Sequence, residues 1–442
     1  MQKKLHLVSL GCTKNLVDSE VMLGRLKEYE ITDDNTQADV IIVNTCGFID
    51  AAKEESINIV LNLHDERKEA SILVMSGCLT ERYKEELQAD MPEIDIFTGV
   101  GDYEKIDELI ASKQSTFSPE VYLATETSGR VITGSNYHAY IKIAEGCNQA
   151  CSFCAIPSFK GKLHSRSLSS IVKEVEMLVK EGYYDFSFIS QDSSSYGRDM
   201  SLSDGLLDLI EAVEAVAGVE SARILYLYPS TTTFELIDAI SDSRVFQTYY
   251  DMPIQHIDDA VLKTMKRGFG EKKTIELLKY MKSKANAFIR TSVIAGHPGE
   301  SQESYDALCD FMENFSFDRF NTFHYSNEET TSAYGMEQIS QGIIDERANI
   351  LGEIAEVSTL ASLEKMVGKT LTVVIDGESD EHEYLLSARP LSWAVDIDGE
   401  ILINDTSDLP IEYGKRYEAK VTELVGTQLL ATLISEQLAV SN

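Results

Sequence analysis

Positive charge is what this chain has least of. Its 442 residues carry 39 Lys and Arg against 73 Asp and Glu, a formal net charge of −34. A protein that grips nucleic acid needs a basic face to neutralise phosphates. The deficit therefore speaks against a large RNA or DNA footprint. It favours a basic partner, because opposite charge can raise on-rates by roughly 10–10³. Acidity also keeps a protein dissolved, and charge alone does not choose between the two. Long apolar runs are missing as well. No stretch approaches the roughly 18 apolar residues of a membrane span. The opening run, Met-Gln-Lys-Lys-Leu-His-Leu-Val-Ser-Leu-Gly-Cys12, reads as a strand rather than a signal peptide. The expectation is a cytoplasmic protein with no membrane partner. Internal repeats and low-complexity tracts are absent. Cysteine is sparse, at seven. In a cytosolic chain these are ligands or catalytic groups rather than disulfides. The hydrophobic content of 43% is enough for real cores, and the length argues for two to four domains.

Three of the cysteines lie together, in Glu145-Gly-Cys-Asn-Gln-Ala-Cys-Ser-Phe-Cys-Ala-Ile-Pro157. A structural zinc site wants four ligands. A [4Fe–4S] cube has four irons to ligate. Three thiolates leave one iron open, and an open iron can hold a substrate. A zinc knuckle with a distant fourth ligand, or a buried cysteine cluster, is the competing reading.

Upstream, short apolar runs alternate with helical stretches. Leu5–Leu10 ends at Gly11-Cys12, residues 40–43 at Asn44-Thr45-Cys46, and residues 72–75 at Ser76-Gly77-Cys78. Such runs separated by helices predict a parallel sheet. Ligands of such sheets sit beyond the carboxyl ends of the strands. Cys12, Cys46 and Cys78 should therefore converge as a second three-thiolate site. Residues 115–135 read as a linker, with a short strand at 121–124. Strand–helix alternation resumes with strands expected at 138–143, 185–189, 222–228, 249–252, 287–294 and 319–325. Helices are expected at 171–181 and 272–285. Six such units suit a partial β/α barrel, with its site at the C-terminal ends of the strands. Beyond residue 367 the pattern is β only. Strands are expected at 369–375, 383–388, 394–397, 400–403, 416–424 and 429–434, with turns at Asp376-Gly377, Asp398-Gly399 and Tyr413-Gly414. The fold class is α/β throughout the first two units: a parallel-sheet N-terminal domain at 3–119, then a partial barrel core at 133–364. A small β-barrel follows at 367–437.

The triad at 147–154, followed by Ala155-Ile156-Pro157 and Gly161, resembles the radical S-adenosylmethionine (SAM) superfamily. Over its whole length the chain resembles the methylthiotransferases. The matching phrases are Leu10-Gly-Cys-Thr-Lys-Asn-Leu-Val-Asp-Ser-Glu20, Val43-Asn-Thr-Cys-Gly-Phe-Ile-Asp50, Asp251-Met-Pro-Ile-Gln-His256, Met265-Lys-Arg-Gly268 and Arg290-Thr-Ser-Val-Ile-Ala-Gly-His-Pro-Gly-Glu300. The resemblance implies a radical-SAM core and a C-terminal TRAM barrel. It also implies two [4Fe–4S] clusters, on Cys147, Cys151 and Cys154 and on Cys12, Cys46 and Cys78. The first would bind SAM and the second would hold the sulfur to be transferred. SAM-pocket candidates carried over with it are Phe153, Ile156, Gln191, Asp192, Gly296 and Glu300. Arg166 and Ser165 would meet the SAM carboxylate, and Asn44 and Thr45 would shape the loop around Cys46. Cys309 reads as a core residue. An external reductant such as flavodoxin or ferredoxin is implied, together with a sulfur donor.

Methylthiotransferases divide between enzymes acting on a tRNA adenosine and enzymes acting on an aspartate of ribosomal protein twelve of the small subunit. From Val367 to Ser435 the barrel holds 13 acidic residues against five basic ones. A barrel that grips tRNA should be basic, and one that docks a basic ribosomal protein should be acidic. The protein-modifying branch is therefore expected. A tRNA enzyme is the alternative within the family, and a non-catalytic Fe–S electron carrier is the alternative outside it. Two three-cysteine sets predict about eight irons per chain after anaerobic reconstitution, from two cubes of four. Replacing Cys147, Cys151 and Cys154 together with Ala should leave about four irons and no SAM cleavage. Surviving SAM cleavage in that variant would sink the radical assignment.

Overall fold

The computed structural model describes residues 2–380 and 382–436. Glu381, one of the barrel acids, and the expected barrel end at 437 lie outside the described residues. The N-terminal unit runs β1 (Lys4–Ser9), α1 (Thr13–Arg25), β2 (Glu30–Ile31), β3 (Val40–Thr45), α2 (Asp50–Glu66), β4 (Ile72–Gly77), α3 (Cys78–Arg82), α4 (Lys84–Asp90), β5 (Ile96–Phe97) and α5 (Ile106–Ser112). Its strands pair in the order β2-β1-β3-β4-β5, all parallel. β3 is buried along its whole length, as a parallel strand covered on both faces must be. The register sets Ser9 beside Asn44 and Asn44 beside Ser76. The chain thus leaves β1, β3 and β4 at one edge of the sheet, and each exit leads into a cysteine.

The core runs β6 (His138–Lys142), β7 (Ala144–Glu145), α6 (Ile156–Phe159), β8 (His164–Ser165), α7 (Leu168–Lys180), β9 (Asp185–Ile189), α8 (Gly205–Glu214), β10 (Ser221–Ile224), α9 (Phe234–Asp242), β11 (Tyr249–Asp251), α10 (Asp259–Thr264), α11 (Glu271–Lys282), β12 (Phe288–Ala295), α12 (Gln302–Phe315), β13 (Arg319–His324) and α13 (Gln341–Glu364). Parallel sheets β10-β9-β6 and β11-β12-β13 are joined by a bridge between Ala222 and Phe246 and by Leu227 N–H donating to Asp251 O at 2.8 Å. The six strands form a partial barrel, and among the described residues no pairing joins β6 to β13. Cys309 lies on α12 and packs against the main core.

Two expectations fail in these units. Residues 121–124 form no strand; only Tyr122 N–H reaches Val100 O, at 3.0 Å. The strand expected at 222–228 stops at Ile224, because Tyr226 adopts φ +64 and cannot continue a ladder. The linker itself is strapped down. Arg130 pairs with Glu20 at 3.0 Å and with Glu174 at 2.9 Å, and Thr133 N–H donates to Glu20 at 2.9 Å.

The last unit, β14 (Thr370–Glu378), β15 (Leu386–Pro390), β16 (Ile401–Asp405), β17 (Arg416–Val425) and β18 (Gln428–Glu436), closes as β14-β15-β16-β18-β17. Residues 394–397 are turn rather than strand, with Asp396 at φ +58. Asp376-Gly377 is no hairpin turn; it lies inside β14 at a register shift. Asp398-Gly399 likewise joins no hairpin but leads from the turn into β16. The reason is Trp393, which is 2% exposed and packs against Phe288 and Arg319 of the core. The segment serves that contact instead of a ladder. Asp398 follows it inward, accepting from Ala394 N–H at 2.8 Å and facing Arg290. It is therefore not a docking acid.

This barrel caps the N-terminal ends of the core strands. Arg389 reaches Asp185 at 3.1 Å, Arg223 donates to Leu391 O at 2.7 Å, Tyr184 donates to Gly414 O at 2.6 Å, and Arg416 pairs with Glu220 at 2.7 Å. Within this seam lies His138, 2% exposed and sharing a 2.9 Å hydrogen bond with Ser187. Burial drives its pKa down to about 3, outweighing the pull of Asp185. An unfolded histidine titrates near 6.5, so the native state binds fewer protons between those values. The stability this confers is whole above pH ~6.5 and is lost as pH falls toward 3, by up to about 1.4 kcal/mol per unit. Urea unfolding at pH 7 and pH 5 should show that slope, and His138→Gln should remove it.

Candidate functional site

Each thiol of the first triad owes its place to a strand end. Cys12 caps α1. Gly11 before it, at φ +85, lies so close to Cys46 that a Cβ would stand 2.7 Å from the Cys46 Cβ and 2.8 Å from its Sγ. Only glycine lets the two loops meet. Asn15, one turn into α1, ties the exits together. Its Nδ2 donates to Leu10 O (3.0 Å) and Thr45 O (3.1 Å), and its Oδ1 faces the Cys78 Sγ at 3.5 Å. Asn44 and Thr45 support the loops from beneath. Asn44 donates to Asn15 O and Ser19 Oγ, both at 2.9 Å, and Thr45 donates to Ser76 O at 2.6 Å.

The second triad lies on the loop beyond β7. Cys147 N–H donates to Gly161 O at 3.1 Å, and Cys154 N–H closes a turn onto Cys151 O at 3.2 Å. Cys151 Sγ stands 3.5 Å from the Tyr228 hydroxyl and 3.6 Å from Arg267 Nη1. Ser152 pins the loop: its N–H reaches Met265 O at 3.0 Å and its hydroxyl meets His297 Nε2 at 2.9 Å. His297 Nδ1 sits 2.9 Å from Pro298 O, so that nitrogen carries the proton and Nε2 accepts. Burial pushes the thiols up, Cys46 to about 11 and Cys147 and Cys154 to about 12, with fellow cysteines adding to the shift. Such thiols ionise when a cation binds them. Among the described residues no three His, Cys, Asp or Glu side chains gather closely enough to chelate one ion. Three free thiols in each set suit a polynuclear cluster, in which each iron takes one sulfur.

The helix that Cys12 caps and the loop that carries Cys147, Cys151 and Cys154 meet through buried ion pairs. The C-terminal ends of the core strands abut the edge of the first sheet where its cysteines emerge. Between them lies a buried quartet of charges. Lys142 pairs with Asp18 at 2.5 Å and Glu145 at 2.7 Å, and Lys160 approaches the same two at 3.3 and 3.5 Å. Burial alone would raise the Glu145 pKa, but Lys142 and Lys160 outweigh it and hold it at about 2. Beside the quartet, Lys14 Nζ sits 3.4 Å from the centre of the Tyr226 ring. Further along the seam, Glu328 binds Arg82 at 2.7 Å and Lys53 at 3.0 Å.

The expected SAM-pocket residues fall into two groups around the second triad. Gln191 donates to Glu145, and Asp192 accepts from Gln149 at 2.8 Å and from the hydroxyls of Ser194 and Ser195. On the other side, Phe153 meets His297 edge-on at 6.2 Å within an apolar cluster that includes Met265, Ile294 and Tyr325. Ile156 opens α6 and packs into the core that joins the two units. Gly296, at φ +82, has Ile344 where a Cβ would stand, at 2.4 Å. Glu300 accepts from Gly296 N–H at 3.1 Å and pairs with Arg347 at 2.6 Å, so it anchors this loop to α13. Arg166 departs from expectation. It is buried, and its guanidinium is spent on Glu174 (2.5 Å), Lys142 O (2.9 Å) and Ser170 (2.9 Å). Ser165 likewise accepts from Gly197 N–H at 3.0 Å.

Sequence reasoning missed Asp18, Lys142, Glu145, Lys160, Tyr226 and Arg267. One signal was available: Lys142 is a cation closing the strand His-Ala-Tyr-Ile-Lys, all of which is buried. A buried cation requires a partner.

A model for uncharacterized protein family UPF0004 matches residues 4–99, one for the radical SAM superfamily 141–312, and one for the TRAM domain 367–434. Among solved structures, the radical S-adenosylmethionine methyltransferase TsrM from Kitasatospora setae has the same core fold. Its TM-score is 0.56 at 14% identity, over 76% of this chain and 75% of that one. The ribosomal protein uS12 methylthiotransferase RimO of Sulfurovum sp. (strain NBC37-1) is 88% identical over 98% of this chain and 99% of its own length. The protein of the same name from Aliarcobacter butzleri is 63% identical over 98% of both. The chain belongs to the RimO family of radical SAM methylthiotransferases.

Proposed function

We propose that this enzyme adds a methylthio group to the β-carbon of an aspartate in ribosomal protein uS12, by radical SAM chemistry with two [4Fe–4S] clusters. One observation supports the reading: two sets of three free cysteines lie on loops joined through one buried seam of ion pairs. Cys147, Cys151 and Cys154 would hold the cluster that binds SAM, and Cys12, Cys46 and Cys78 the one that holds sulfur. When bound, the clusters supply the electron that splits SAM and an iron at which sulfur is methylated and handed on. An sp³ carbon without a leaving group offers no electrophile, so the carbon must first lose a hydrogen atom. That requirement explains why a single chain would carry two incomplete triads.

The chain's own residues would position and seal. Phe153 and Ile156 would form the apolar wall of the SAM pocket, with Gln191 and Asp192 as its polar side. Gly296 and Glu300 would set the loop opposite, and Arg166 would act at one remove by holding the backbone of Lys142. The quartet of Asp18, Lys142, Glu145 and Lys160 would exclude water from the seam. The functional units would be 3–119 for the sulfur cluster, 133–364 for the radical, and 367–437 for docking. The partner is read as a basic ribosomal protein, which an acidic chain attracts more readily than tRNA. Such attraction is screened beyond roughly 8 Å at physiological ionic strength, so capture should weaken as salt rises. An enzyme acting on a ribosomal protein would work in the cytoplasm, with a reductant such as flavodoxin or ferredoxin. Among the described residues no helix is long and apolar enough to cross a membrane.

Reconstituted enzyme should be offered uS12 and tRNA separately, and the products weighed by mass spectrometry. The expected product is uS12 heavier by one methylthio group in place of one hydrogen, located on an aspartate. Cys46→Ala should stop this transfer and lower bound iron to about four atoms, one cube. Methylthiolated adenosine without modified uS12 would overturn the substrate assignment. Normal transfer by Cys46→Ala would overturn the role of the first triad.

A further inference from the structure

Four buried cations lie around the two sets of cysteines, and two of them have carboxylate partners. Lys142 and Lys160 share Asp18 and Glu145. Arg267 donates to Pro253 O at 2.5 Å, lies 4.1 Å over the Tyr228 ring, and touches Cys151 Sγ. Lys14 is different. It is 8% exposed, yet no carboxylate of the described residues stands within ion-pair distance of it. Its near neighbour is an aromatic face, the Tyr226 ring at 3.4 Å.

Tyr226 is itself held in place against its preference. At φ +64 it occupies the left-handed region, which a non-glycine residue adopts only when its surroundings hold it there. Its N–H donates to Asp251 Oδ2 at 3.0 Å and its carbonyl accepts from Ser193 N–H at 3.0 Å. The first unit thus supplies the ammonium and the core supplies the ring beneath it.

A buried ammonium with no anion is costly, and so is a buried carboxylate with no cation. The reaction read above brings one such carboxylate to this place. The β-carbon of an aspartate is bonded to its carboxyl carbon, so a β-carbon set between the triads carries the carboxylate in with it. We propose that Lys14, steadied by Tyr226, receives the side-chain carboxylate of the target aspartate and so selects aspartate over its uncharged amide. This rests on the uS12 reading.

The test is a binding cycle on the reconstituted enzyme. Fluorescently labelled uS12 and a uS12 variant carrying asparagine at the target position are titrated into wild type, Lys14→Gln and Lys14→Arg. Wild type should prefer the aspartate form by about 10–100-fold, the scale of one charge-assisted hydrogen bond. Lys14→Gln should lose that preference by weakening the aspartate form alone, and Lys14→Arg should retain most of it. A residue that merely supports the fold would weaken both forms equally. Equal binding of both forms by wild type overturns the proposal without reference to any variant. So does a preference that survives in Lys14→Gln. These outcomes are distinct from failure of the uS12 reading, in which wild type neither captures nor methylthiolates either form and both readings fall.

Discussion

Four charges buried at one seam set the geometry on which everything else depends. Asp18 lies on the helix that Cys12 caps, and Lys142 ends the first core strand. Glu145 stands two residues before Cys147, and Lys160 follows the short helix beyond Cys154. Lys142 contacts both carboxylates, and so does Lys160. Such groups add little net stability, because desolvation offsets their attraction. Losing one is another matter, since its partners are left charged and dry. The arrangement therefore acts on register. An apolar seam tolerates sliding, whereas these charges are satisfied in one alignment, and that alignment fixes the first unit against the core.

The opposite end of the core barrel is used differently. There the C-terminal barrel presses Trp393 onto Phe288 and Arg319, and Arg389 shares Asp185 with Arg223. Chemistry at the C-terminal ends of the strands and stability at the N-terminal ends is the usual division on β/α barrels. It also changes how the charge of the small barrel is read. Most of its acids remain accessible, but Asp398 is withdrawn to the seam with the core. Asp396, its near neighbour, stays exposed. A count of acids along the chain cannot separate the two.

Backbone strain clusters at the mouth of the core. Tyr226 and Gln255 take positive φ just past successive strands, and Gln255 Oε1 is buried without a hydrogen-bond partner among the described residues. Strained conformations persist where surrounding contacts over-determine them. Here those contacts come from neighbouring strand ends: Asp251 and Ser193 hold Tyr226, while Gln255 bridges to Val293.

The sequence alone determined what is local. Strand–helix alternation located the parallel sheet and all six barrel strands, because burial on both faces leaves continuous apolar runs. Close spacing marked one triad, and recurrence at strand ends marked the other. Failures came where a contact outranked the local pattern: residues 394–397, drawn off the ladder to seat Trp393, and Tyr226, turned out of its strand. Only the tertiary structure decided which charges are buried and with whom. Asp18 and Lys142 are 124 residues apart in the chain, and neither has a neighbour in sequence that announces the other. Arg166 is the clearest lesson, a cation expected at a ligand and found on Glu174. An ion pair is made by proximity in space, and proximity across so long a loop is a property of the folded chain.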